Sequence, residues 1–328
     1  MATEDKLKGM LLGVALGDAL GAPFERVKDQ KGYTGKVVPF RHQSRYHGAR
    51  DSAPGQITDD TEMTIALAGA VCAASGYSRE AAVAAYLAWA GSKCPFMGRN
   101  TRALFAGVKT MRGYSGRWSR LYAKTSAETW SQSNGALMRC SPLAALPADR
   151  WRAEAVEDCV LTNPHAVCVG AELAYLVALR ALLRGASVAL AVKDAAEESK
   201  IPEVQKAIRA GAASEARDIR GADKGWVLHA LYAAFYGLCQ PGGAQERLDA
   251  VVRLGGDTDT NAAIAGALIG AERGAASMLA EERAGPNLRQ VLACDTSAGA
   301  IARPPGYWAG RLPGLAASLA ALPPRRGP

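Results

Sequence analysis

Residues 253–275, RLGGDTDTNAAIAGALIGAERGA, place two carboxylates (Asp257, Asp259) and two hydroxyls (Thr258, Thr260) in four consecutive positions. Gly255 and Gly256 precede them and a run of small apolar residues follows. The double glycine permits backbone angles closed to other residues, so the tetrad is expected on a sharp turn. Asp and Thr suit a helix N-cap, and Ala262 to Ala271 has the composition of the helix behind it. Side chains two apart on a helix point about 200° from each other, so the two carboxylates converge only from a non-helical turn. Convergent Asp and Thr oxygens are hard ligands, suited to magnesium, manganese or calcium rather than zinc. Helix capping alone is the other reading, and one such cluster does not decide between them. An EF-hand is excluded, because Ala262 and Leu268 stand where its loop needs glycine and glutamate.

A second cluster decides it. In GQITDDTEMTIALAGAVCAAS, Thr58, Asp59, Asp60 and Thr61 again head an apolar helix, with Met63, Leu67, Ala70 and Val71 along one side. Two Asp/Thr-rich helix starts, far apart in the chain, read as halves of one dinuclear hard-metal site.

Residues 7–22, LKGMLLGVALGDALGA, repeat glycine at 9, 13, 17 and 21, which on a helix makes a ridge without side chains. Each glycine in a helix interior costs roughly 0.5–1 kcal/mol, so four require a compensating close approach. Gly266, Gly270 and Gly274 repeat the spacing, and packing of the two ridges on each other is the natural hypothesis. Asp18, inside an otherwise apolar helix, calls for a structural partner such as helix N-terminal amides or an arginine. Glu25, just after Pro23, stands where a mobile functional carboxylate would sit.

The remaining stretches are read more coarsely. Residues 28–56 lack periodicity and read as loop, and 79–111 as two helices broken at SKCPFMG, 92–98. Residues 112–130 are basic and aromatic, either an RNA surface or, as preferred, ordinary surface with snorkelling side chains. In 131–146, Ser133, Asn134 and Gly135 mark a turn before an expected helix whose amides could hold a phosphate. Asn163 is the expected cap of a long helix in 161–183, leaving His165 at the surface. Residues 184–224 read as mostly polar helix, and Trp226 to Leu238 as apolar helix with His229 at a core or edge position. From Arg303 the chain reads as an extended tail anchored by Tyr307 and Trp308.

The 328 residues carry a net charge of +8, with basic residues that look scattered in sequence, so no nucleic-acid partner is expected. Seven cysteines without a CxxC pair suggest a reducing compartment. A balanced N-terminal charge argues against secretion, and no apolar segment is read as long enough to span a bilayer. A cytoplasmic, monomeric protein with no membrane partner is expected. The composition, rich in Ala, Leu and Gly, gives about a dozen helices in a single all-α domain over 1–328.

GMLLGVALGDALGAPFE, TDDT, SNGALMR, the histidine of TNPHAV and GGDTDTNAAIAGALIGA occur in order and spacing that resemble the ADP-ribosylglycohydrolase family, from residue 7 to about 275. The resemblance implies an orthogonal multi-helix fold and two Mg2+ or Mn2+ ions. It places metal ligands at Thr58, Asp59, Asp60, Asp257, Asp259 and Thr260. It assigns Ser133, Asn134, Gly135 and Met138 to a loop holding the diphosphate and distal ribose, and moves His165 from the surface to the ADP-ribose pocket. Catalytic work falls to Glu25, Asp59 or Asp60, in hydrolysis at C1 of the distal ribose of an ADP-ribosylated protein or small molecule. Arginine-specific members carry an acid between proline and glycine where this chain has Phe96 and Met97, leaving arginine, serine or another acceptor open. The rival readings are a non-catalytic ADP-ribose- or nucleotide-binding protein that keeps the pocket and another magnesium-dependent phosphohydrolase, for which no phosphate-cleaving motif stands in the sequence.

Overall fold

The computed structural model describes residues 3–25, 27, 29–44, 48–297 and 301–323. Fifteen α-helices lie among them: α1 Glu4–Gly21, α2 Asp59–Ala73, α3 Arg79–Gly91, α4 Arg99–Phe105, α5 Met111–Trp118, α6 Trp151–Cys159, α7 Ala166–Leu183, α8 Val188–Glu198, α9 Pro202–Ala212, α10 Val227–Cys239, α11 Ala244–Leu254, α12 Thr258–Arg273, α13 Ala275–Ala280, α14 Ala284–Leu292 and α15 Leu312–Ala320. The fold is all-α, as the composition implies.

At its centre α1 and α12 run antiparallel with backbone against backbone. A methyl group built on Gly9 would strike the carbonyl of Gly270, one on Gly13 that of Gly266, one on Gly17 that of Ala262 and one on Gly21 that of Thr258. The two four-residue periods mesh, as the glycine spacing led us to expect. Around this pair, α1 buries every residue from Gly9 to Gly21, including Asp18, and α12 every residue from Thr258 to Ala271. The other helices close over the outer faces, with α10 and α11 against α12, and α15 and α2 against α1.

Several expectations are corrected. Within 28–56, read as loop, β1 Arg41–Ser44 and β2 Gly48–Asp51 pair antiparallel. Their polar, uneven sequence lacks the alternation of a half-buried strand. The helix expected after Ser133–Gly135 does not form; turns run through 134–139 and a 3-10 segment follows, Ser141–Ala145. Arg139 is drawn fully inside instead, where its guanidinium meets Asp158 at 3.0 Å and donates to the Gly135 carbonyl and the Thr162 hydroxyl, both at 2.8 Å. The tail from Arg303 is not extended. Arg303 pairs with buried Glu62 at 2.7 Å, and α15 turns Leu312, Leu315, Ala316 and Leu319 into the core. Two helical segments, Glu4–Phe24 and Ala166–Leu183, are by length and composition long enough to cross a membrane, contrary to the sequence reading. Both are largely buried against the rest of the molecule, as core helices.

On α7, Glu172 lies wholly inside, beside the Arg139–Asp158 pair. Among the described residues only the Cys159 thiol approaches its oxygens. Burial, then the charge of Asp158, pushes its carboxyl up to about 8.

Two outcomes follow from this packing. Gly13→Leu removes the contact between α1 and α12, and urea titration is expected to show a loss of at least about 3 kcal/mol or no folded protein. Because the fold prefers Glu172 protonated, its contribution is whole at low pH and fades as pH rises from the ordinary carboxylate range towards 8. Glu172→Gln is therefore expected to melt several degrees above wild type at pH near 8, with the gap closing towards pH 5.

Candidate active site

The close approach of α1 and α12 sets the site, because it brings three helix ends together. Thr258, first residue of α12, donates its hydroxyl to the Gly21 carbonyl at the end of α1, at 2.8 Å. One turn back on α1, Asp18 accepts from the start of α2: the Thr58 amide at 2.9 Å, the Thr61 amide at 3.1 Å, and both threonine hydroxyls. Asp18 thus has the structural partners its position demanded. Burial raises its carboxyl to about 6, against the pull of those four donors.

At α2, Asp18 does the capping that the Thr58–Thr61 tetrad was positioned to do. Thr58 and Asp257 occupy the N-cap positions of α2 and α12, yet neither side chain makes a capping hydrogen bond. Capping therefore does not explain the two clusters. Asp59 and Asp60 open α2, and Asp259 and Thr260 lie in the first turn of α12. Asp60 accepts from the Thr58 hydroxyl at 3.1 Å on one oxygen, while its other oxygen is buried without a partner. Thr260 lies beside both Asp60 and Asp257, between the two helix starts.

The electrostatics agree that these groups share one space. Asp59, Asp60 and Asp259 are all pushed well above the usual carboxylate range, first by burial. Charge adds to it: Asp259 acts on Asp59, Asp18 and Asp59 on Asp60, and Glu25 and Asp257 on Asp259. Asp257 is raised too, by burial and then by Glu25. Glu25, on the turn leaving α1, faces the same cluster.

A cation answers them. Lys224 places its ammonium 2.9 Å from the Glu25 carboxylate and 4.0 Å from Asp257. Its lone position in GADKGW offers no sequence signal, so motif reading missed it. Among the described residues, no group of three or more His, Cys, Asp or Glu side chains is closed into a metal shell. The chemistry nonetheless suits hard divalent ions: an all-oxygen donor set, an orphaned Asp60 oxygen, and acids crowded at one place.

The Ser133–Gly135 loop lies directly beside. Asn134 donates its side-chain amide to Asp257 at 2.7 Å and its backbone amide to the Gly225 carbonyl at 3.0 Å. Ser133 forms an isolated β-bridge with Trp226. Asn163, the expected helix cap, instead clamps this loop, donating to the Ser133 carbonyl and hydroxyl at 3.1 and 3.0 Å. The cap of α7 is His165, whose Nδ1 accepts from the Val167 amide at 3.1 Å. Its Nε2 faces the Gln132 side chain at 3.2 Å, so His165 lines the loop rather than open solvent. Met138 is buried beneath, its amide closing the turn on the Asn134 carbonyl at 3.0 Å. Phe96 stands on a separate loop, its ring 6.0 Å from Phe40 and 4.8 Å from His42.

The all-helical frame has counterparts among known proteins. The ADP-ribosylglycohydrolase family model matches residues 1–300, and the chain belongs to that family. Its members are enzymes that hydrolyse glycosidic bonds. The chain is 28% identical to ADP-ribosyl-[dinitrogen reductase] glycohydrolase of Rhodospirillum rubrum, across 83% of this chain and 87% of that one. It is 26% identical to ADP-ribosylarginine hydrolase Tri1 of Pseudomonas putida (strain GB-1), across 84% of this chain and 72% of that one. A solved ADP-ribosylglycohydrolase-related protein complex superposes with a TM-score of 0.70 at 23% identity, covering 97% of this chain and 98% of that one, and shares the fold.

The crowding of acids generates a prediction. Asp259→Asn removes one buried like charge, so without divalent ions the variant is expected to be more stable than wild type by about 1–2 kcal/mol. Thermal melts with and without magnesium or manganese check this: the ions should raise the melting point of wild type and leave that of the variant nearly unmoved.

Proposed function

We propose that the chain is a metal-dependent hydrolase, cytoplasmic and monomeric, that cleaves the bond at C1 of the distal ribose of ADP-ribose attached to arginine, serine or a small acceptor. The observation that carries this reading is the meeting of Asp59, Asp60, Asp257 and Asp259 at two helix starts, with Asp18 rather than Asp59 or Asp60 capping the first.

Thr58, Asp59, Asp60, Asp257, Asp259 and Thr260 would hold two Mg2+ or Mn2+ ions. When bound, such ions supply positive charge that orients ribose hydroxyls and acidifies water. The protein's own groups do the rest. Asn134, fixed against Asp257, ties the ribose-facing acids to the loop of Ser133 and Gly135, whose backbone would receive the diphosphate. His165, fixed by the Val167 amide, would border the same pocket. Glycoside hydrolysis passes through an oxocarbenium-like state, which the surrounding carboxylates would favour by their charge. One of Glu25, Asp59 and Asp60 would take the proton of the attacking water. Lys224, at the junction of Glu25 and Asp257, keeps the carboxylate pair in register until substrate arrives.

Incubation with ADP-ribosylated arginine, ADP-ribosylated serine and O-acetyl-ADP-ribose, with and without magnesium, tests the reading. Release of ADP-ribose from at least one substrate, dependent on the ion and lowered at least about 100-fold by Asp259→Ala, is expected. Tight ADP-ribose binding without turnover of any of them would identify a binding protein instead.

A further inference from the structure

The positive charge of this chain is not spread as its sequence suggests. Of 39 basic residues, eight stand in the stretch 81–127, which has no acidic residue at all; the other 31 match the 31 acids of the chain. The whole net charge of +8 therefore resides on α3 to α5 and the turns around them.

The fold gathers half of these residues round one concavity. Lys109, Arg112, Arg117 and Arg120 line an open depression of about 570 Å³ on the outer side of α5 and the π-helical turn Ser119–Ala123 that follows it. Gly107, Gly113 and Gly116 form its floor, where missing side chains leave the hollow open. Lys109, Arg112 and Arg120 are exposed, and among the described residues none of the four basic groups is in an ion pair. Such a single-sign patch is costly to keep unless an anionic surface meets it.

Its place in the fold points to the occupant. The same segment packs against 160–162, the turn that leads into Asn163 and His165. Trp118 donates to the Val160 carbonyl at 2.8 Å, and Tyr122 to the Thr162 carbonyl at 2.6 Å. Thr101 of α4 lies 3.8 Å from where a Cβ of Gly135 would be. The aromatic rings that could stack on bases are turned inward: Tyr114 and Tyr122 are buried, and Trp118 is committed to Val160. We propose that this depression docks an acidic face of the ADP-ribosylated protein while its modified side chain occupies the cleft. This rests on the proposed action on ADP-ribosylated proteins.

The test uses the full chain and the triple variant Lys109→Glu/Arg112→Glu/Arg120→Glu, none of whose positions belongs to the site. Substrates are ADP-ribosylated peptides with glutamate-rich or neutral flanks, and a small ADP-ribosylated amino acid. Wild type is expected to prefer the acidic peptide roughly ten-fold in kcat/KM, through KM, and to lose the preference in about 0.5 M salt. The variant should show no preference, with unchanged turnover of the small substrate. Direct titration with an unmodified glutamate-rich peptide and with a single-stranded oligonucleotide separates the readings. Binding of the peptide by wild type but not the variant, without turnover of any substrate, would retain the docking surface and remove the glycohydrolase reading. Equal kcat/KM for both flanks, or oligonucleotide bound in preference to peptide, overturns the proposal.

Discussion

Backbone touching backbone between α1 and α12 is the constraint on which the rest of the structure depends. With no side chain between them at Gly13 and Gly266, the two helices lie close enough for the end of one to hydrogen-bond the start of the other. That contact brings Thr258 to Gly21, and Asp18, one turn earlier, then receives the start of α2. Three helix ends from distant parts of the chain are thereby fixed at one place. Two of them are N-termini, whose partial positive charge offsets some of the repulsion among the acids gathered there.

What could be read from sequence was what is local and periodic. The four-residue glycine period on both helices named its own partner, and the paired Asp/Thr tetrads announced a shared site. What escaped depended on partners far along the chain. The helix expected after Gly135 is prevented by Arg139, which goes inward to Asp158 and Tyr86, and nothing within SNGALMR reveals those partners. Asn163 looked like a cap and became a clamp, because Ser133 lies against it only once the fold is made. Lys224 has no motif. The C-terminal helix was legible in principle: Leu312, Leu315, Ala316 and Leu319 keep helical spacing, and Pro313 at the first turn is compatible with a helix start. The surrounding Pro, Gly and Arg outweighed that pattern.

The basic stretch shows the same limit from the other side. Its charges are spaced so that none forms a block, and along the chain they look like ordinary surface. Only the turn from α4 to α5, and the inward commitment of Trp118 and Tyr122, collects them on one face.

The division of labour among the acids follows from donor supply. Asp18 takes two amides and two hydroxyls at the start of α2, and that supply keeps its carboxyl near 6 although it is fully buried. Asp59, Asp60 and Asp259 receive far fewer donors and are driven further upward by the same burial and by one another. Had Asp59 and Asp60 capped α2, their oxygens would have been spent on backbone amides rather than gathered with Asp257 and Asp259. By assigning the cap of α2 to a residue on another helix, the fold leaves buried carboxylates short of positive charge at a single place. Such an arrangement is destabilising by itself, since unpaired buried charge is not compensated within the protein. Under the proposed reading, bound cations would offset this repulsion, so the acids that weaken the fold are the ones that would hold the ions.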